Sequence, residues 1–248
     1  MDLKGLARGL VSLFLPADCK ICNQALESLN FSYICENCWG KVKWLKMPYC
    51  SRCGKPFPAS LASQELPSLL CAECRQDSSP FKKIFVPTLY EGVMKEAIHL
   101  FKYHRKKGIM KRLEKTLKVY FFHTTDLPFS KFDLVVPIPL HRKKLKERGF
   151  NQAELLAKAI ATHFDLKLVK NNLKRVKATK SQTSLSRKER LENIKGAFQF
   201  RNKDEFREKK ILLVDDVYTT GTTVREAAKV LKKAKAREVY IFTLARAS

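Results

Sequence analysis

Residues 211–223, ILLVDDVYTTGTT, carry the side chains whose chemistry is easiest to infer from this sequence. The apolar start is typical of a central parallel strand, and it leads directly into Asp215 and Asp216. A turn of hydroxyl residues around one glycine follows: Thr219, Thr220, Gly221, Thr222 and Thr223. Gly221 lets the backbone turn sharply, and threonine hydroxyls with the amides of a helix start can hold a phosphate. The carboxylates stand about one ribose length away, so the pattern predicts a site for a ribose 5-phosphate.

The same run has a plainer interpretation as an ordinary strand, turn and helix with a threonine cap. An isolated Asp-Asp or Thr-Thr pair would favour that interpretation. The full run, in register with strand, turn and helix, favours a ligand site. A Walker A phosphate loop is excluded because no Gly-Lys-Ser/Thr follows the glycine.

The cysteines form a second chemical signature, because all eight lie in the first 74 residues as four C-x-x-C pairs. The pairs are Cys19/Cys22, Cys35/Cys38, Cys50/Cys53 and Cys71/Cys74. Two such pairs supply the four thiolates of a tetrahedral zinc site, and the gaps of 12, 11 and 17 residues suit one. Sequential pairing closes the shorter loops and predicts two zinc ions, although the sequence leaves the pairing open. A disulfide framework is disfavoured because nothing directs export, and a redox motif would need a strand–helix setting.

The charge is strongly basic and unevenly distributed. The net charge of the 248 residues is +25, of which residues 1–80 carry +2 and residues 81–248 carry +23. We predict a double zinc-ribbon module at 1–80 and a second domain at 81–248. The charge of the second domain favours polyanions such as nucleic acid or phosphorylated metabolites, although a solvated lysine-rich surface would look the same. No apolar stretch approaches a membrane span, and residues 10–15 form only a short amphipathic lead-in, so we expect a cytoplasmic protein without membrane insertion.

The apolar pattern of the second domain alternates between strand and helix periods. Strands are predicted at 83–90, 133–137, 211–215 and 238–244. Helical spacing is predicted near 93–101, at 109–122, after an Asn151 cap, and from Val224 onward. Residues 174–201 are basic and weakly periodic, so we expect a long loop or an extended hairpin there. The alternation predicts an α/β fold, with an open, mostly parallel sheet flanked by helices.

In the run 211–223 the sequence resembles the type I phosphoribosyltransferases, which bind phosphoribosyl pyrophosphate (PRPP) with an apolar strand, two acids and a Thr/Gly-rich loop. The wider chain is similar to one branch of them, the ComF family of competence-associated proteins. That resemblance rests on the cysteine ribbon, on VPIPLHRKKLKERGFNQAELLA at 136–157 and on SQTSLSRKERLENIKGAF at 181–198. The matching segments cover nearly the whole chain and follow one another in the same order as in the family.

The resemblance implies a role for each matching position. Asp215 and Asp216 would bind the ribose hydroxyls, and the turn 219–223 the 5-phosphate. The turn after the neighbouring strand would meet the pyrophosphate through Pro137, Ile138, Pro139 and Leu140, with Arg142 and Lys143 nearby. Magnesium would be held mainly by PRPP oxygens and water. A mobile segment containing Gln182, Arg187, Arg190 and Asn193 would close over the site, unless it is simply a solvated basic loop.

Two functions follow from the resemblance and the charge. In the first, the chain binds PRPP and handles single-stranded DNA during natural transformation, with DNA-uptake or helicase proteins as further partners. Aromatic residues beside basic ones, such as Phe101 and Phe150, would stack on bases unless they belong to the core. In the second, the chain is an active PRPP-dependent transferase that moves ribose 5-phosphate to a base or amine, without a DNA role. The sequence does not identify the acceptor.

Overall fold

The computed structural model describes residues 18–26, 33–58, 60, 69–76, 78–103, 108–124, 129–179 and 187–247, without the side chains of Tyr103, Arg187, Lys188 and Arg190. The lead-in at 10–15 lies outside the described residues. The helices are α1 Glu36–Trp39, α2 Ala72–Gln76, α3 Gly92–Tyr103, α4 Ile109–His123, α5 Arg142–Arg148, α6 Gln152–Phe164, α7 Arg187–Ile194 and α8 Thr222–Lys233. The strands are β1 Ile84–Phe85, β2 Thr88–Leu89, β3 Leu134–Pro137, β4 Lys167–Leu168, β5 Leu173–Arg175, β6 Phe198–Phe200, β7 Lys210–Tyr218 and β8 Glu238–Arg246. Within the described part of the chain, no helix is long and apolar enough to cross a bilayer.

The main sheet has β7 at its centre, between β3 and β8. Its order is β1, β8, β7, β3, β4, with β2 also paired to β8, and every pair is parallel. Parallel neighbours require a crossover connection, which α6 supplies between β3 and β4 and α8 supplies between β7 and β8. This is the open parallel α/β sheet predicted from the sequence, and that prediction is confirmed.

Side chains of β7 alternate between two buried clusters, one on each face of the sheet. Ile211 and Leu213 pack in the cluster that contains Val224 of α8. Leu212 and Val214 pack on the other face, in the cluster that contains Leu156 of α6. A strand that is covered on both faces has a continuous apolar sequence, which is why the apolar run at the start of β7 predicted a central strand.

The cysteine-rich segment packs onto this sheet. The Leu45 amide donates to the Pro87 carbonyl at 2.8 Å, and the Ile84 amide donates to the Arg52 carbonyl at 2.8 Å. Four of the cysteines belong to the same buried cluster as Ile84 and Val86, namely Cys50, Cys53, Cys71 and Cys74. The boundary between residues 80 and 81 therefore stays a prediction about sequence segments, since side chains from both segments share one core.

Three elements differ from the sequence prediction in their extent. Residues 83–90 form two short strands, because Pro87 has no amide hydrogen with which to continue the ladder. Residues 174–201 form part of an antiparallel pair, β5 with β6, with helix α7 between the strands. The central strand continues beyond residue 215 to Tyr218, so Asp215 and Asp216 lie within β7 instead of closing it.

Leu213 tests the packing at the centre of the sheet. It is fully buried, so Leu213→Ala is expected to lower the free energy of unfolding by about 3 kcal/mol, the loss typical of a large-to-small change in a core. The measurement is urea unfolding in zinc-saturated buffer. Val119→Ala is the control, because Val119 is 44% exposed and its truncation should change stability by less than about 0.5 kcal/mol. Equal effects of the two substitutions would contradict this account of the core.

Candidate functional site

Asp215 and Asp216 lie where β7 continues beyond its neighbour β3. The last pair between these strands joins Pro137 to Val214, so the next residues of β7 have no partner on that side. Both carboxylates line a cavity of about 530 Å³ at the carboxyl edge of the sheet. Ligands of open α/β folds bind at this edge, because the loops that follow the strands meet there.

An ion pair holds one of the two acids. Nζ of Lys102, on α3, donates to Oδ1 of Asp216 at 2.8 Å, and the two side chains are 17% and 11% exposed. Burial alone would lower the pKa of Lys102, but the charge and hydrogen bond of Asp216, together with the charge of Asp215, outweigh burial and raise that pKa. Lys102 therefore stays charged and holds the Asp216 side chain in place.

Asp215 is in a different electrostatic state. Burial, followed by the charge of the neighbouring Asp216, raises the pKa of its carboxyl group to about 7, although the charges of Lys102 and Arg175 oppose this shift. The Asp216 backbone amide donates to Oδ1 of Asp215 at 2.9 Å, which orients the carboxyl group. The cavity thus holds one acid that is paired with Lys102 and one whose pKa is raised to about 7.

The threonine turn lies beside these acids and begins helix α8. Gly221 is the N-cap, with a φ of 75°, and it provides no side chain that would cap the helix. The first amides of an α-helix have no carbonyl partner within the helix, so this end can donate to an anion. Thr219, Gly221, Thr222 and Thr223 line the cavity, whereas Thr220 contributes a hydroxyl contact to Thr222 at 3.2 Å.

The turn after β3 reaches the same cavity through only some of the predicted residues. Ile138 and Leu140 line it, and Pro137, Pro139 and Arg142 line an adjacent cavity of about 500 Å³. Lys143 is exposed and lines neither of these two cavities.

Asn151 fixes this turn to the next helix. Its Nδ2 donates to the Ile138 carbonyl at 3.0 Å, while its Oδ1 accepts from the Ala153 amide at 3.2 Å as the N-cap of α6. One side chain therefore holds the turn and starts the helix, which is the capping role predicted for it from the sequence.

Several basic residues of the cavity were not assigned to it from the sequence. Lys144 and Arg148 project from α5, Arg175 from β5, and Lys95, His99 and Lys102 from α3. Lys144 and Arg148 are four residues apart and therefore lie on one face of α5. The three residues of α3 are spaced by four and three residues and also share one helix face. This spacing is visible in the sequence, but which face of each helix meets the cavity depends on tertiary packing.

The predicted mobile segment is described only in part. Gln182 and the side chains of Arg187 and Arg190 lie outside the described residues, and Asn193 lies on α7.

The cysteines converge into two groups of four, formed by sequential pairs. One group is Cys19, Cys22, Cys35 and Cys38, and the other is Cys50, Cys53, Cys71 and Cys74, with the sulfur atoms of each group within 4.8 Å of one another. The Sγ atoms of Cys22 and Cys35 are 3.7 Å apart, as are those of Cys53 and Cys71. Zinc–sulfur bonds of about 2.3 Å in a tetrahedron require sulfur atoms about 3.8 Å apart, so both groups fit zinc.

The raised pKa of Asp215 can be tested by measuring the stability of the ligand-free protein at different pH values. Because its pKa is about 7 in the folded protein, folding favours the neutral form, and this acid reduces stability as pH rises from the unfolded pKa towards 7. Asp215→Asn is therefore expected to stabilise the ligand-free protein by about 1–2 kcal/mol more at about pH 8 than at about pH 5.5. Urea unfolding measures the difference, with the exposed Asp204→Asn as control. A gain that does not depend on pH would rule out a raised pKa.

Two family models match the chain. One, described as a phosphoribosyl transferase domain, matches residues 151–248, and the other, described as a double zinc ribbon domain, matches residues 10–75. The second match and the two cysteine groups together support zinc binding. The first match covers the stretch from α6 to β8, which contains both acids and the threonine turn.

The chain is also similar to several curated proteins over most of its length. It is 31% identical to Competence protein F of Haemophilus influenzae over 86% of this chain and 90% of that protein. It is 30% identical to DNA utilization protein YhgH of Escherichia coli K12 over 94% of this chain and 99% of that protein. It is 30% identical to Competence protein ComFC of Bacillus subtilis over 86% and 84% of the two chains.

Among solved structures, a hypoxanthine phosphoribosyltransferase from Staphylococcus aureus aligns with 55% of this chain and 62% of its own, at 16% identity and a TM-score of 0.34. The family assignment rests on the curated relatives instead. Identities of 30% and above extend across most of both chains and take in the ribbon as well as the transferase domain. The chain therefore belongs to the ComF family.

Proposed function

We propose that this chain binds PRPP, with magnesium, in the cavity at the carboxyl edge of the sheet. One observation carries the proposal: two carboxylates and the uncapped start of a helix face the same cavity. Asp215 and Asp216 would accept hydrogen bonds from the ribose hydroxyls, and the turn at 219–223 would bind the 5-phosphate. Lys102 supports this use because its ion pair fixes the side chain of Asp216 at the cavity.

The pyrophosphate needs positive charge on the other side of the ribose. Lys144, Arg148 and Arg175 line the same cavity, as do Ile138 and Leu140 of the turn after β3. Arg148 is oriented by a hydrogen bond from its Nη1 to Oε1 of Gln152 at 3.0 Å. These residues, more than the Arg142 and Lys143 suggested by the resemblance, are our candidates for the diphosphate contacts. Magnesium would be held mainly by PRPP oxygens and water and would neutralise diphosphate charge.

The acids provide the direct test of the PRPP site. Asp215→Asn/Asp216→Asn is expected to reduce PRPP affinity at least about 100-fold, because the site loses two charged acceptors and leaves Lys102 without its partner. Isothermal titration calorimetry with PRPP and magnesium measures the affinity. Asp204→Asn is the control, since Asp204 is exposed outside the cavity. Unchanged affinity in the double variant would refute the site.

We further propose that the chain acts on single-stranded DNA during natural transformation. Two relatives are named as competence proteins and one as a DNA utilization protein. The net charge of +23 on residues 81–248 is compatible with a polyanionic ligand. DNA-uptake or helicase proteins would be further partners, and the cytoplasmic location stays a prediction.

Two of the aromatic residues suggested for base stacking are not accessible to it. Phe101 and Phe150 are buried, and their ring centroids lie 5.4 Å apart within the core. The DNA contact in this proposal therefore rests on exposed basic side chains. Arg142 and Lys143 are suitable for a test because both are exposed at the start of α5.

The salt dependence of DNA binding distinguishes the contribution of the second domain to DNA affinity from the contribution of the ribbon. Arg142→Gln/Lys143→Gln is expected to weaken binding to an oligothymidine and to reduce the slope of log affinity against log salt by about 1.4, or about 0.7 for each lost phosphate contact. Lys41→Gln/Lys46→Gln makes the same charge change on exposed residues of the ribbon and should have a smaller effect. Fluorescence anisotropy at several salt concentrations measures both. A salt-independent affinity of the unmodified chain would contradict the proposal.

The second candidate function is an active transferase that moves ribose 5-phosphate to a base or amine. The cavity favours this possibility because its lining also includes Tyr90, Lys95 and His99, which are candidates for contacts with an acceptor. A nitrogen nucleophile would displace pyrophosphate from the anomeric carbon, and the protein would contribute positioning and charge neutralisation. Pyrophosphate release with a panel of bases, amines and oligonucleotides distinguishes turnover from binding alone.

A further inference from the structure

The two cysteine groups have different relations to the PRPP cavity. The second group, Cys50, Cys53, Cys71 and Cys74, is buried throughout and belongs to the same cluster as Tyr218 and Val224. Those two residues also line the cavity. Of the first group, Cys19 and Cys38, with the half-buried Cys35, pack in the other buried cluster, and Cys22 is exposed.

Arg246 connects the second group to β7. It is 6% exposed at the end of β8, and its Nη1 donates to the Cys53 carbonyl at 2.8 Å. No carboxylate among the described residues pairs with it. Four thiolates around one zinc ion would carry a net charge of about −2, so the second cysteine group with zinc bound would provide negative charge for this buried guanidinium. Gly54, next to Cys53, would place a Cβ 3.8 Å from Cδ of Arg246, so the backbone after Cys53 lies against this side chain.

The guanidinium of Arg246 in turn lies on Tyr218. Its Cζ is 4.9 Å from the centroid of the Tyr218 ring, which is the geometry of a cation–π contact. Tyr218 is the last residue of β7 and is 4% exposed. The ring is therefore held on one face by a buried cation whose own position depends on the Cys53 carbonyl.

The hydroxyl end of the Tyr218 ring occupies the space over Gly221. A Cβ added to Gly221 would lie 2.2 Å from Oη of Tyr218, so the glycine backbone rests directly against the tyrosine. Gly221 has a φ of 75° and begins α8, and its backbone conformation sets the direction of the amides in the phosphate turn. Movement of the ring would thus displace the turn.

We propose that Arg246 and Tyr218 are positioning residues that connect the second cysteine group to the PRPP phosphate turn. Metal bound by Cys50, Cys53, Cys71 and Cys74 would fix the Cys53 carbonyl, and the contacts through Arg246 and Tyr218 would hold Gly221 in its binding conformation. Loss of that metal would leave Arg246 with an uncompensated buried charge and would loosen the turn. The functional meaning of this connection rests on the proposed PRPP site, whereas the connection itself rests on the four contacts described above.

The first cysteine group supplies a matched comparison. Glu36, beside Cys35, pairs with Arg112 of α4, so an arginine of the second domain also contacts this group's segment. Arg112 does not line the PRPP cavity. Arg112→Lys and Arg246→Lys therefore make the same chemical change at the two cysteine groups, and only the second is expected to affect the phosphate turn.

Hydrogen–deuterium exchange of the zinc-loaded full chain tests the connection without any ligand. In Arg246→Lys, the amides of residues 219–224 are expected to exchange at least about fivefold faster than in the unmodified chain, a change at the lower end of coupling between sites. Tyr218→Phe should give the same direction of change, because it removes the oxygen that lies over Gly221 and that hydrogen-bonds with Arg225 at the start of α8. Arg112→Lys should leave these amides unchanged. Unchanged exchange in both Arg246→Lys and Tyr218→Phe would overturn the inference.

The rate of zinc release provides a second readout, because a turn fixed by bound PRPP should restrain the second cysteine group through Tyr218 and Arg246. PRPP with magnesium should slow zinc release from the second cysteine group to a chromogenic chelator at least about fivefold, and should leave release from the first group unchanged. Cys22→Ser, which removes a ligand of the first group, assigns the two phases of release. In Arg246→Lys the slowing should disappear and PRPP should bind at least about fivefold more weakly, while a merely structural role would lower thermal stability and leave the affinity of the folded protein unchanged.

The outcomes separate this inference from the proposed function. PRPP binding by calorimetry with no effect on zinc release would overturn the connection and leave the PRPP site in place. No PRPP binding by the unmodified zinc-loaded chain would overturn the proposed function instead. In that case the exchange rates of residues 219–224 in Arg246→Lys and Arg112→Lys still decide whether the cysteine group controls the turn.

Discussion

The unequal lengths of β3 and β7 are the constraint on which the rest of the site depends. Both strands are held in a parallel sheet, but pairing with β3 ends at Val214 while β7 continues to Tyr218 beside β8. The residues after Val214 therefore lie at the open edge where the loops of an α/β sheet converge. Had β3 continued alongside β7, Asp215 and Asp216 would have entered a closed ladder with apolar cover. The missing partner makes room for a cavity and lets two acids occupy it.

Electrostatics explains why these acids can be tolerated there. Lys102 compensates Asp216 directly, while burial, together with the charge of its neighbour, raises the pKa of Asp215 to about 7. Two adjacent carboxylates in a buried site repel each other, and basic residues from three other elements line the same cavity. A ligand that carries sugar hydroxyls and phosphates would satisfy both signs of charge at once. The ligand-free cavity is thus less stable than an apolar one would be, as is common at binding sites.

The cysteine groups extend the core of the molecule. The second group packs in one cluster with residues of the sheet, and the contact from Arg246 to Cys53 joins the end of β8 to it. Segments of this size bury little apolar surface of their own, so bound metal would contribute much of their folding energy. A ribbon that shares a core with the sheet cannot be removed without exposing that core. For this reason point substitutions are more informative than deletion of the ribbon.

The sequence alone determined the features that depend on neighbours in the chain. The C-x-x-C pairs, the Asn151 cap, the buried run of β7 and the glycine turn before α8 are all set within a few residues, so residue type and spacing were enough to predict them. Tertiary structure decided which separate segments meet. Lys102, Arg148 and Arg175 come from three different elements, and no local pattern states that they share one cavity with Asp215. Tertiary structure also decided how the cysteine pairs are grouped and what Arg246 and Tyr218 contact. In each case long-range packing fixes the distance between residues that are far apart in the chain.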